Sequence, residues 1–137
     1  MSIEAGIYTR LTGSTDITAM VGTRVYPSHV PQGTSFPMLR YTIIAQEQIH
    51  ALSTHTDLYR ATFQVDCYTS NTYLDVIALA DKVRETLNTE STSFGTMAIE
   101  QSHVRGMSDE PPFKPSDSSD EWIFGRSVDC ELHYHST

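Results

Sequence analysis

Histidine is the residue type in this chain with the most evident chemical potential, and there are six copies. His133 and His135 alternate on one predicted strand, so both imidazoles point to the same face, as a metal-binding pair would. The spacing supplies no third or fourth ligand, and a solvated strand end is the commoner meaning of such a pair. The sequence therefore predicts no metal site and no cofactor.

The other candidate reactive groups are two cysteines and several carboxylate pairs. Cys67 and Cys130 lie on the apolar side of alternating runs, which is typical of buried, reduced thiols. Cys130 and His133 differ in parity along their strand, so they point to opposite faces and cannot form a nucleophile pair. The carboxylates at 109–110 and 120–121 lie in a polar segment too loose to hold a catalytic geometry. We predict no catalytic residue and no enzymatic activity.

Helical signals occur at the N-terminus and in the middle of the chain. Ser2 is an N-cap for a first short helix that ends at Gly13. Ser14 to Asp16 can cap a second short helix over residues 17–21, which ends at Gly22. In "SNTYLDVIALADKVRETLN", apolar residues recur every three or four positions, which predicts the longest helix. Leu74, Ala78 and Leu79 widen its apolar stripe and indicate either core or contact with a neighbouring subunit.

Alternating apolar and polar residues predict the strands. The clearest is 58–69, where Phe63 and Val65 share one face and Gln64 and Asp66 the other. Further strands are predicted at 23–26, 38–45, 96–105 and from 122 onwards. The fold class is α+β: an antiparallel sheet of about four to five strands, one long helix packed on a face, and two short N-terminal helices. The expected core includes Phe63, Val65, Ile77, Leu87, Val128 and Leu132.

Two segments fall outside this core. Residues 27–37 contain Pro27, Pro31 and Pro37, which predict an ordered, extended crossover before a strand. Residues 106–121, "GMSDEPPFKPSDSSDE", are rich in acids and proline and are predicted to form a long loop. The whole chain, residues 1–137, is predicted to be a single domain.

The net charge of −8, from 17 acids and 9 bases, argues against a protein that grips DNA phosphates. A solubilising surface charge is the ordinary alternative. There is no apolar run of membrane-spanning length, and "MSIEAGIYTR" lacks the features of a secretory signal. We expect assembly in a cytoplasm and no membrane partner.

The order of these elements resembles a known family. The short helices end in "MVGTRVYP", the crossover is "VPQGTSFPMLRYTII", a strand joins the long helix in "YRATFQVDCYTSNTYLDVIALADKVRETL", and "GRSVDCELHYH" forms the last strand. This arrangement covers nearly the whole chain. It resembles the phage tail-completion family, the tail terminator or head-to-tail joining proteins.

The resemblance implies a structural virion protein in the neck at the top of the tail. It implies a homo-oligomeric ring, expected to be a hexamer, that caps the tail tube and joins it to the head connector. DNA would pass through the lumen without specific binding. Two alternatives remain open: a tail-tube subunit that stacks into a tube, and a small cytoplasmic enzyme with a dispersed site.

Two groups of residues are candidates for function in such a ring. The acidic loop is a candidate partner interface, with Asp109, Glu110, Pro111, Pro112, Phe113, Asp117 and Asp120. Acids on polar strand faces are candidates for the lumen wall, namely Asp66, Asp129 and Glu131. Strand alternation alone does not say which polar face meets the lumen, and an outer, solubilising position is the alternative.

Overall fold

The computed structural model describes residues 2–50, 55–70, 72–115 and 120–135, which form one six-stranded sheet and three helices. The mixed α+β class is as predicted. In chain order the elements are α1 (Ile3–Thr12), α2 (Thr15–Val21), β1 (Val25–Pro27), β2 (Met38–His50), β3 (His55–Ser70), α3 (Tyr73–Leu87), β4 (Thr89–Phe94), β5 (Met97–Phe113) and β6 (Ile123–His135). None of the helices in these ranges is long and apolar enough to cross a membrane.

Side-chain caps define where the short N-terminal helices begin, as the sequence predicted. The Ser2 hydroxyl accepts a hydrogen bond from the Ala5 backbone N–H at 3.2 Å, and the Ser14 hydroxyl accepts one from Ile17 at 3.4 Å. These caps satisfy N–H groups that have no partner inside the helix. α2 ends at Gly22, whose φ of 62° lies in the region that favours glycine.

The sheet has the strand order β1-β2-β3-β6-β5-β4. The β1–β2 pair is parallel, and every other neighbouring pair is antiparallel. β3 and β6 form the centre and stay in register from Leu58 opposite His135 to Ser70 opposite Ile123. The two long hairpins, β2–β3 and β5–β6, therefore lie side by side.

The main core lies between the helices and one face of this sheet. Phe63, Val65, Val128 and Leu132 are fully buried there, as predicted, and so is Leu87 of α3. The apolar stripe of α3 that meets the sheet consists of Val76, Leu79, Ala80, Val83 and Leu87.

The prediction that Ile77 belongs to the core is wrong, because Ile77 is only half-buried. Leu79 points to the sheet instead, so the buried stripe is rotated around the helix relative to the predicted one. Leu74 and Ala78 are exposed, and 74% of the Leu74 surface is accessible. Periodicity identified the helix but could not fix its rotation, because apolar residues occur on more than one side.

The predicted strand count is too low, and the predicted loops are too long. β4 was missed because its sequence, TESTSF, is polar and has a single fully buried apolar anchor, Phe94. β5 continues to Phe113, so 106–113 is a strand and not part of a loop. Residues 114, 115 and 120–122 lie in no helix or strand, while 116–119 lie outside the described residues. Backbone pairing with β6 holds the polar end of β5 in place, and composition does not reveal such pairing.

The residues between β1 and β2 correct a third prediction. The Thr34 backbone N–H donates to the Pro31 carbonyl at 3.3 Å, and Gly33 has a φ of 81°. The crossover therefore contains a turn and is not extended throughout. Glycine at position 33 permits this turn, because its positive φ is costly for other residues.

We predict that Phe63→Ala lowers the free energy of unfolding by about 3–5 kcal/mol, because it truncates a fully buried aromatic ring. Urea denaturation of the purified chain measures the change. Leu74→Ala is the matched control on an exposed apolar residue, and it should change stability by no more than about 0.5 kcal/mol. Equal effects of the two substitutions would contradict the assigned core face.

Candidate functional site

The face of the sheet opposite the helices holds the predicted lumen acids and most of the charged side chains of the long strands. We call it the helix-free face. On β3 it consists of alternate residues from Arg60 to Tyr68, and on β6 it consists of alternate residues from Ile123 to His135. Because side chains alternate along a strand, these residues point away from Phe63 and the core.

Asp66 is the centre of a polar network on the helix-free face. One of its carboxylate oxygens accepts hydrogen bonds from Arg40 Nη2 at 2.8 Å and Arg40 Nε at 3.1 Å. The other oxygen accepts from Gln64 at 2.6 Å and from the Ser127 hydroxyl at 2.7 Å. Asp66 is only 2% exposed, so its charge depends on these donors for stabilisation.

Tyr68 extends this network towards β5. Its hydroxyl accepts from Arg40 Nη2 at 3.1 Å and donates to Glu110 at 3.2 Å. Burial, followed by the nearby charge of Asp66, raises the pKa of Tyr68 well above its ordinary value. Gly125 leaves room for the ring, because a Cβ at that position would lie 2.9 Å from Tyr68 Cε1. The network thus joins side chains of β2, β3, β6 and β5.

A second, smaller apolar cluster lies on the helix-free face beside this network. Met38, Tyr68 and Ile123 are buried in it. The segment between β1 and β2 packs against the cluster through Val30 and Phe36. The proline-rich crossover therefore covers one end of the face that the helices leave open.

The three predicted lumen acids all lie on the helix-free face, but they differ in exposure. Asp66 is buried and paired with Arg40, so its carboxylate lies beneath the exposed surface of this face. Asp129 is half-buried and lines an open concavity of about 480 Å³. Glu131 lies 3.8 Å from Arg105 and 3.6 Å from His133. The concavity is bordered by Ile44, Thr62, Gln64, Arg105, Gly106 and Asp129.

Both histidines at the end of β6 lie next to carboxylates. His135 contacts Glu100 through Nε2 and Asp57 through Nδ1, the latter at 3.1 Å. The hydrogen bond to Glu100, and then the one to Asp57, raises the pKa of His135 above its ordinary value. In the ranges that the structure describes, no group of three or more histidine, cysteine or acidic side chains is arranged to hold a metal ion. The two contacts of His135 join β6 to β3 and β5.

Both cysteines are free thiols, buried in the core on the helix side of the sheet. Burial raises the pKa of Cys67 and of Cys130 far above the ordinary thiol value. Buried thiols of this kind are typically unreactive structural residues.

The predicted interface residues do not form one loop. Asp109 and Glu110 are strand residues that point to opposite faces. Asp109 accepts a hydrogen bond from the Tyr73 hydroxyl and lies 3.5 Å from Arg126. Pro111, Pro112 and Phe113 are exposed at the end of β5, and Asp120 is exposed before β6, while Asp117 lies outside the described residues.

Comparison with known proteins identifies the family. The sequence profile described as tail completion protein gp17 matches residues 5–109. The chain belongs to this tail completion family. The match spans the helices, β1 to β4 and most of β5, and it confirms the resemblance that the sequence indicated.

A solved structure shows the same fold as this family member. Its description is "Virion of native gene transfer agent (GTA) particle". The TM-score is 0.69 at 14% sequence identity, and the alignment covers 98% of this chain and 96% of that chain. No curated protein matches the chain by sequence.

Sequence reasoning on this tail completion protein missed the network around Asp66. A signal was present: Arg40 and Asp66 have opposite charges and lie on the polar sides of two predicted strands that follow one another along the chain. The pairing register decides whether two such residues meet. In the structure they lie directly opposite each other on β2 and β3.

We predict that Asp66→Asn lowers the free energy of unfolding by about 1.5–3 kcal/mol, because it removes the charge that accepts from Arg40. Glu47→Gln is the matched control, since Glu47 forms an exposed ion pair with Arg60 between the same two strands. That change should cost less than about 1 kcal/mol. Denaturation curves of both variants test the difference, and a cost for Asp66→Asn no larger than for Glu47→Gln would show that the network is not structural.

Proposed function

We propose that this chain is a structural protein of a tailed-phage virion or a phage-derived particle. In this proposal it forms a ring, expected to be a hexamer, in the neck of the particle. The ring caps the tail tube and joins it to the head connector, and it assembles in the host cytoplasm. Membership of the tail completion family is the observation that carries the proposal.

The fold and the chemistry support the same proposal. The solved chain with this fold belongs to the virion of a gene transfer agent particle, which is a structural setting. In the part of the chain that the structure describes, the histidines of β6 are tied to carboxylates and the thiols are buried. These histidines and cysteines thus contribute to packing and pairing, which favours a structural role over catalysis.

We further propose that the helix-free face lines the lumen. Helices fill the opposite face, while this one is concave and open at Asp129. Within the described residues, each of the three arginines assigned to this face lies beside a carboxylate: Arg40 beside Asp66, Arg60 beside Glu47, and Arg105 beside Glu131. DNA phosphates would therefore meet no uncompensated arginine on this wall, and adhesion during passage would be weak.

Native mass spectrometry of the purified protein tests the proposed ring. We expect a single closed species of six copies of the 15.3 kDa chain. Indefinite stacks would favour a tail-tube subunit instead, and a monomer at all concentrations would contradict the ring and favour the enzyme alternative.

Duplex DNA binding at low salt tests the proposed lumen wall. We expect no tight binding by the natural sequence, because counterion release requires exposed cations. Asp129→Lys/Glu131→Lys should create salt-sensitive binding to a short linear duplex. The matched control, Asp81→Lys/Glu85→Lys, makes the same charge change on α3 and should bind more weakly. Tight binding by the natural sequence, or equal binding by both variants, would contradict the proposed wall.

A further inference from the structure

The two long hairpins have outer edges that are covered only at their starts. β1 pairs with β2 from Leu39 to Tyr41, and β4 pairs with β5 from Met97 to Ser102. The Asn88 side chain then accepts the Val104 backbone N–H at 2.7 Å. Past these points, no strand of the described residues covers the outer edge of 42–47 on β2 or of 106–110 on β5.

Strand alternation identifies the backbone groups that face outwards on β2. The Leu39 N–H donates outwards to the Arg24 carbonyl, and the Tyr41 carbonyl accepts outwards from the Ser28 N–H. Because outward and inward residues alternate in an antiparallel pair, Ile43 is the next residue that turns its N–H and C=O to the outside.

The same rule applies to β5, with one adjustment. The Val104 N–H points outwards to Asn88, and a bulge between Val104 and Gly106 shifts the alternation by one residue. Met107 and Asp109 therefore present the outward backbone groups after the bulge. Ile43 and Met107 also lie on the helix side of the sheet, and both pack against the main core.

The open edge of β2 lacks two of the usual devices that keep sheets apart. Residues 42–47, TIIAQE, contain neither lysine nor proline, and Ile44 is 57% exposed. Isolated proteins normally protect an apolar edge of this kind, because it pairs readily with other strands. On β5 the open stretch ends at Pro111 and Pro112, which have no N–H to donate.

We propose that the open edge of β2 in one copy pairs with the open edge of β5 in the next copy. This proposal rests on the proposed ring and specifies its contact. Three antiparallel pairings separate β2 from β5, so the two strands run in opposite directions. Copies related by rotation about an axis along the strands would then pair antiparallel. The contact joins two different surfaces, which is the kind that closes into a ring.

The shapes of the two edges fit this contact. On β2 the open stretch comes after the part that is paired with β1, and on β5 it comes after the part that is paired with β4. Each edge is therefore stepped, and the two steps are complementary. Pairing Ile43 with Met107 places two half-buried apolar side chains next to each other and continues the core across the joint. Since the open stretches lie at different heights along the sheet, joining them tilts the strands, as closure of a barrel requires.

The joined sheets would form a continuous wall with the helices outside. Six copies with four long strands each supply 24 strands. At a spacing of about 4.8 Å between strands, this wall is at least about 37 Å across. A duplex fits inside such a wall, and the helix-free face is then its inner surface.

Hydrogen exchange followed by mass spectrometry tests the contact without assuming a register. In the assembled ring, backbone amides of 42–47 and 106–110 should exchange at least about tenfold more slowly than they do in the diluted, dissociated subunit. β4 is the internal control, because its outer edge stays uncovered and its exchange should be unchanged. Unchanged exchange at both open edges, with protection elsewhere, would overturn the proposal.

Cysteine pairs test the same contact chemically. Thr42→Cys/Ser108→Cys, and Ala45→Cys/Ser108→Cys for a shifted register, should give an oxidation ladder of covalent oligomers. Within one chain the β2 and β5 positions are three strand spacings apart, about 14 Å along the sheet, which is too far for a disulfide. The control Thr42→Cys/Glu90→Cys, which uses β4, should give no ladder. A ring that shows neither ladder nor protected edges overturns the edge contact alone, whereas failure to assemble overturns the ring as well.

Discussion

A six-stranded sheet has two faces, and the three helices of the described residues cover only one of them. That constraint organises the rest of the molecule. The helix side is dry and apolar, with Phe63 and Leu132 at its centre. The other side must satisfy its own polar groups, because nothing in the described residues shields it completely. Side chains of the long central strands β3 and β6 point alternately to the two sides, so the sequence of these strands determines which residues each side contains.

The helix-free face meets this constraint in two ways. At one end, the Arg40–Asp66 pair and its neighbours satisfy one another across four strands, and the crossover covers an apolar cluster through Val30 and Phe36. Towards the other end, the face is open, concave and lined by paired charges. The described residues thus form one surface covered by helices and one polar surface, which is the surface that we propose lines the lumen. The tail completion family gives that asymmetry a functional setting.

The outcome of the sequence predictions follows from what each signal measures. Periodicity and caps located all three helices, because Ser2, Ser14 and the apolar repeat of α3 act locally. Alternation assigned Phe63 and Val65 to the core and Asp66 to the opposite face. It could not see that Asp66 is buried, because that depends on Arg40 lying opposite it on β2. Composition did not predict β4 or the end of β5 as strands, because pairing with a neighbouring strand holds these polar segments in place. The sequence also could not predict the open edges, because the order of the strands in the sheet decides which strand edges stay unpaired.

The central claim is that copies of this chain surround a lumen with the helix-free face inside. Electron cryomicroscopy of the purified assembly, averaged to a resolution that separates helices from sheets, tests it most directly. We predict a closed ring whose inner wall is continuous sheet, with α1, α2 and α3 on the outside and Asp129 facing the lumen. A ring with helices lining the lumen, or one in which the sheets of neighbouring copies do not meet at β2 and β5, would contradict this account.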